Sequence, residues 1–235
     1  MNTSMTPLVL LPGMMCDARL FTPQIDYFSA ERAVQVACLT RHNRVEDMAR
    51  AVLAAAPERF ALAGLSMGGI VAMEVVRQTP DRVVGLALLD TNPLAEDERV
   101  KAGRGPQMQT AREGGLLDML VDKAFPNYLA AETTQTPILA TCFAMAESLG
   151  ADVFIRQSEA LMHRPDQTET LRRYRGPAMI LCGEQDRLCP VSRHTLMSEL
   201  MPHASLDVIP AAGHLVSLEK PIETNKAMAQ WLEAL

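Results

Sequence analysis

Residues 61–76 read ALAGLSMGGIVAMEVV. An apolar run arrives at one serine, Ser66, and a second apolar run leaves it at once, with Gly64 two places before and Gly68 two places after. The first run has the length and composition of a buried strand, and the second opens a helix. A chain that passes from strand to helix through a single residue must bend sharply. Side chains flanking the bend would collide with the neighbouring strand and helix, so glycine is favoured on both sides. The residue at the apex is expected in a strained backbone conformation, its hydroxyl raised above the carboxyl end of the sheet. There it faces the N-terminus of the next helix, whose free N–H groups favour negative charge.

Outward from this junction, short apolar runs alternate with helical patterns. Strands are expected over 8–11, 34–39, 60–65, 83–89, 178–182 and 205–209, and helices over 44–56, 67–78, 191–201 and 221–235. Strands this apolar, interleaved with helices, predict an α/β fold: a mostly parallel sheet of about six strands flanked by helices. Between residues 93 and 175 the rhythm changes. LLDMLVDKAF, ILATCFAMAESL and VFIRQSEALM carry apolar residues at helical spacing, separated by Gly114-Gly115, Pro126, Pro137 and Gly150, and no strand pattern interrupts them. This stretch is expected to be a helical cap inserted in a core made of 1–92 and 176–235. No internal repeat is present.

Composition narrows the function classes. The chain has 235 residues, 48% hydrophobic and 21% charged, with a net charge of −6, a soluble globular profile that suits one generous domain. No basic tract stands clear of acids, so neither nucleic acid nor a membrane surface is an expected partner. The opening MNTSMTPLVLLPG lacks a basic residue and is cut by Pro7 and Pro12, unlike a signal peptide, and no window resembles a membrane span. Five scattered cysteines suit a reducing cytoplasm rather than a disulfide framework. Cys182 and Cys189 have no Cys or His partners at zinc spacing, so no metal site is expected.

A serine hydroxyl is a weak nucleophile and needs a base, which in turn needs an orienting acid. Of His42, His163, His194, His203 and His214, only His214 directly follows an expected strand, in DVIPAAGHLVSLEKP. For the acid, Asp186 in MILCGEQDRLCP leaves the preceding strand, 28 residues before His214 and 120 after Ser66. Glu184 on the same loop and Asp90 at the end of VVGLALLD are competing candidates. A serine–acid–histidine order is the one this elbow architecture uses. Acyl transfer also needs an oxyanion hole, with one N–H from the residue after the nucleophile, Met67, and one from the loop after the first strand. In LLPGMMCD that second donor is expected at Met14, with Met15 beside it against substrate.

Taken together, Leu11-Pro12-Gly13-Met14, Gly64-Leu65-Ser66-Met67-Gly68-Gly69, Gly183-Glu184-Gln185-Asp186 and Gly213-His214 with the trailing Leu218-Glu219-Lys220-Pro221 resemble the α/β-hydrolase superfamily, in its carboxylesterase-like branch with a helical cap. The resemblance runs from Leu8 to Leu235. It differs in carrying Pro12-Gly13 where the family often has His-Gly, and in opening at the family's third strand, without an antiparallel N-terminal pair. What it implies is a cytoplasmic serine hydrolase of carboxylic esters with small or medium acyl groups, working through Ser66, His214 and Asp186 without a cofactor. Lactone, thioester or carbon–carbon bond cleavage and perhydrolysis are alternatives on the same fold. A receptor-like binding module is the non-enzyme alternative. Oligomeric state is not legible.

Overall fold

The computed structural model describes residues 5–131 and 136–235. Residues 1–4, part of the opening segment read above, and 132–135 of the expected cap lie outside the described residues. The chain runs β1 (Leu8–Leu11), α1 (Thr22–Phe28), β2 (Val34–Val36), α2 (Val45–Ala55), β3 (Phe60–Leu65), α3 (Met67–Gln78) and β4 (Val83–Leu89). Then come α4 (Glu98–Arg112), α5 (Leu116–Met119), α6 (Thr136–Met162) and α7 (Thr168–Arg173). The last third holds β5 (Ala178–Gly183), α8 (Val191–Leu200), β6 (Ser205–Ile209), α9 (Val216–Glu219) and α10 (Pro221–Glu233).

The six strands form one sheet in the order β2-β1-β3-β4-β5-β6, every neighbouring pair parallel. Because side chains alternate across a strand, each central strand feeds two cores. Leu8 and Leu10 join Ala61, Ala63 and Leu65 against α1 and α10, while Val9 and Leu11 join Phe60 and Leu62 against α2 and α3. Strands β1, β3 and β5 are buried at every position. The edge strands differ: β2 stops at Val36 rather than Leu39 and is only partly covered, as is β6. Each edge strand pairs on one side only, which shortens the ladder and leaves its backbone partly open to water.

Among its described residues the segment between β4 and β5 holds helices and connecting loops but no strand, and it departs from expectation in two ways. Helix α4 has no apolar stripe, holds Gly103, Gly105 and Pro106, and buries only Met108 and Ala111; hydrophobic periodicity could not reveal it. Helix α6, in which one 18-residue window of Pro137–Met162 has a mean hydropathy of 1.6, is long and apolar enough to cross a membrane by length and composition alone, contrary to the expectation that no window resembles a membrane span. Gly150, however, has φ 76° and ψ 176° and breaks the helix into 136–149 and 151–162. At 1.5 Å per residue each piece is about 20 Å, short of the ~30 Å of a bilayer core. Cys142, Met145, Ala146, Val153 and Phe154 spend their apolar surface on the same core as α1 and α10.

Candidate active site

Ser66 sits between the last residue of β3 and the first of α3 with φ 56° and ψ −118°, a left-handed backbone that non-glycine residues rarely adopt. The backbone holds it there. Its N–H donates to Leu89 O at 2.9 Å, and its carbonyl accepts from Gly69 N–H at 2.9 Å and from Thr91 Oγ1 at 2.7 Å. A Cβ at Gly64 would run into the Gly68 backbone, and one at Gly68 would run into Leu11 O. The two glycines are therefore demanded by backbone atoms that cannot yield.

The loop leaving β5 carries Asp186, which is 5% exposed. Its Oδ1 accepts from Leu188 N–H at 2.8 Å and Cys189 N–H at 2.9 Å, while Oδ2 accepts from His214 Nδ1 at 2.8 Å. With Nδ1 carrying the proton, His214 Nε2 accepts from Ser66 Oγ at 2.9 Å. The structure thus brings Ser66, His214 and Asp186 into one hydrogen-bonded line. The histidine loop is clamped from the helical segment: His214 N–H donates to Tyr128 O at 2.7 Å. Glu219 accepts from Gly213 N–H at 2.9 Å and from Ala130 N–H at 2.8 Å.

The competing acids lie elsewhere. Glu184 is exposed. Asp90 is fully buried, but its two oxygens accept from Gly183 N–H at 2.9 Å and Val216 N–H at 3.2 Å. Burial, with Asp186 nearby, pushes the Asp90 carboxyl well above the usual carboxylate range. Asp90 thereby ties the ends of β4, β5 and the histidine loop together. Asp186, Cys189 and His214 also present possible metal-ligand atoms within 4.8 Å of one another. Both ring nitrogens of His214 are already engaged, however, and burial pushes the Cys189 thiol up, away from its ligating thiolate.

Met14 and Met67 both line the cavity above Ser66, and neither N–H has an acceptor among the described residues. Met15, with φ 56°, lines the same cavity and is 4% exposed. Two residues that sequence reasoning missed support this floor. His194 Nε2 accepts from Thr91 N–H at 3.0 Å, and burial lowers its pKa to about 4, so it stays neutral at physiological pH and braces the threonine that holds Ser66 O. Gln157 of α6 accepts from Met15 N–H at 2.9 Å through Oε1 and donates to Leu39 O at 3.0 Å through Nε2. No motif marks a glutamine in a helix as a loop brace; only the packing of α6 does so.

Gln157 occupies the Met15 N–H, which leaves the Met14 N–H free for a ligand oxygen. Gln157→Leu, close in size, leaves that N–H and Leu39 O unpaired, and buried unpaired groups cost about 1–3 kcal/mol. On the expectation that the Met14 N–H serves as an oxyanion donor, which acts on the transition state, ester turnover should fall about tenfold in kcat with KM within about twofold. An unchanged kcat would mean that the loop keeps its shape without the amide.

Comparisons with known proteins agree with this architecture. A family model described as "Alpha/beta hydrolase family" matches residues 8–227. The dihydrolipoyllysine-residue acetyltransferase component of the acetoin cleaving system of Pseudomonas putida is 28% identical over 97% of this chain, which spans 63% of that protein. The pimeloyl-[acyl-carrier protein] methyl ester esterase of Pectobacterium carotovorum is 25% identical over 92% of the chain and 90% of its own length. Among solved structures, a thermophilic esterase from Thermogutta terrifontis superposes with a TM-score of 0.89 at 24% identity, covering 98% of this chain and 90% of that one. At that identity the structural likeness is one of fold.

Proposed function

Since the chain belongs to the alpha/beta hydrolase family and is a hydrolase of ester bonds, we propose that it cleaves small carboxylic esters through an acyl-enzyme on Ser66. His214 takes the hydroxyl proton as Ser66 Oγ attacks the acyl carbonyl, and Asp186 holds the imidazole tautomer and stabilises its charged form. The N–H groups of Met14 and Met67 receive the oxyanion. The alcohol leaves with the proton from His214, and water, activated by the same base, then releases the acid. Hydrolysis by this route draws on neither metal nor organic cofactor.

The observation that carries this reading is the unbroken line from Asp186 Oδ2 to His214 at 2.8 Å and from His214 to Ser66 Oγ at 2.9 Å, in a cavity lined by Met14 and Met67, whose N–H groups have no acceptor among the described residues. We read 1–92 and 176–235 as the catalytic core and 93–175 as its cap, with substrate entering between them and resting against Met15. Five free cysteines, three of them buried, suit a cytoplasmic enzyme acting on a small-molecule ester. An alkyl fluorophosphonate should modify the folded protein once, with the adduct mapping to Ser66 by peptide mass spectrometry. No adduct, together with no turnover of p-nitrophenyl butyrate, would favour a binding module instead.

A further inference from the structure

The cavity above Ser66 has a volume of about 520 Å³, and its charge runs against that of the protein. The chain as a whole is at −6, yet the cavity is lined by Arg104, Lys123, Arg164 and Arg193 against only Glu96 and Asp97. At its wall two guanidinium groups share one carboxylate. Arg104 makes a two-pronged pair with Glu96, both contacts at 2.8 Å, and Arg164 Nη1 reaches the same carboxylate at 2.9 Å. The side chains are 11%, 10% and 2% exposed for Arg104, Arg164 and Glu96.

Burying ions is costly, and the cost is met when charges are matched and donors satisfied. Here two cations face one anion, so a positive charge is left over at the wall. Donor capacity is left over as well. Arg164 spends Nε on Leu94 O at 3.0 Å and Nη1 on Glu96, while its Nη2 has no acceptor among the described residues. Arg104 Nη1 has only the thioether sulfur of Met14 at 3.6 Å, a weak acceptor on the oxyanion loop itself. Burial lowers the pKa of Arg164, as Arg104 and Arg193 also do, with Glu96 acting the other way; the group remains a cation at neutral pH. Arg193, on α8, has no ion-pair partner among the described residues.

From this we infer that the cavity wall of Arg104, Arg164 and Arg193 is a subsite for a free carboxylate, so that the preferred substrates are half-esters of short dicarboxylic acids rather than neutral esters. The inference rests on the ester-hydrolase reading above and specifies its substrate. A planar guanidinium matches a carboxylate in geometry. The three guanidinium groups outnumber the Glu96 carboxylate by two, so the wall has positive charge to spare for an anionic group on the substrate. In a cavity with low-dielectric walls the same cations concentrate anionic ligands from solution.

The test compares monomethyl adipate with methyl heptanoate, in which an ethyl group replaces the carboxylate at similar length, by following acid release at constant pH. The wild type should favour the half-ester by about tenfold in kcat/KM, mostly through KM, as expected for a charge-assisted contact in a partly desolvated site. Arg104→Gln and Arg193→Gln should each reduce that preference at least threefold. Adipate dianion should compete with substrate, whereas hexanamide should not. Turnover of methyl heptanoate equal to or better than the half-ester would overturn the subsite while leaving the esterase standing. Turnover of neither ester would remove the esterase reading itself. Tighter competition by butyl phosphate than by adipate would reassign the wall to phosphate. If Arg104→Gln does not fold, Arg193→Gln and competition on the wild type still decide the matter.

Discussion

Ser66→Ala is expected to lower turnover of p-nitrophenyl butyrate by roughly 10⁴–10⁶-fold, the range found when a nucleophile of this kind is removed. The size of the effect follows from what the side chain does and does not hold. Every contact that shapes the bend belongs to the backbone of residue 66: the N–H to Leu89 O, and the carbonyl from Gly69, Ile70 and Thr91. Its φ of 56° strains alanine as it strains serine. The variant should therefore keep its melting temperature within a few degrees, bind ester and fail only in chemistry. Residual hydrolysis above water should persist, because the Met14 and Met67 N–H groups and the cavity are untouched. Retention of even a tenth of the wild-type rate would mean that Ser66 is not the nucleophile.

The second large effect separates the two buried acids near the histidine. Asp186→Asn should cost about 10⁴-fold in kcat, because an amide nitrogen facing His214 Nδ1 forces the ring into the tautomer that cannot accept the Ser66 proton. The fold should survive, since the carbonyl oxygen can still receive Leu188 N–H and Cys189 N–H. Asp90→Asn should show the opposite profile. One of its two accepting oxygens becomes a donor facing Gly183 N–H or Val216 N–H, which costs about 1–3 kcal/mol of stability. No hydrogen bond to His214 is lost, so kcat should stay within about tenfold. The elevated Asp90 carboxyl points the same way, because a group driven toward its neutral form is a poor partner for a developing imidazolium. A greater loss of turnover from Asp90→Asn than from Asp186→Asn would reverse the assignment.

Much of this was legible without coordinates, and for a definite reason. Gly64, Ser66 and Gly68 announce their conformation locally, because the constraint is a clash between residues four apart and with the adjacent strand. His214 and Asp186 were identifiable because each follows an apolar strand directly, and parallel strands must deliver their loops to the same edge of the sheet. Helix α4 was not legible, since its polar faces and internal Pro106 carry no periodic signal. The break in α6 at Gly150, by contrast, was legible, because that glycine parts two stretches with apolar residues at helical spacing.

By itself the sequence determined a parallel α/β sheet, the strand-to-helix bend at Ser66 and the chain order of serine, acid and base, all properties set by neighbours along the chain or by strand direction. Only the tertiary structure decided which carboxylate reaches His214, that Gln157 and His194 brace the floor beneath the cavity, and that Arg104 and Arg164 converge on one Glu96. Apart from Arg104 and Glu96, which are eight positions apart, those pairings join residues tens to more than a hundred positions apart. Their partners are chosen by how the strand-end loops meet at one edge of the sheet and how the helical segment packs over it, and no local spacing records that packing.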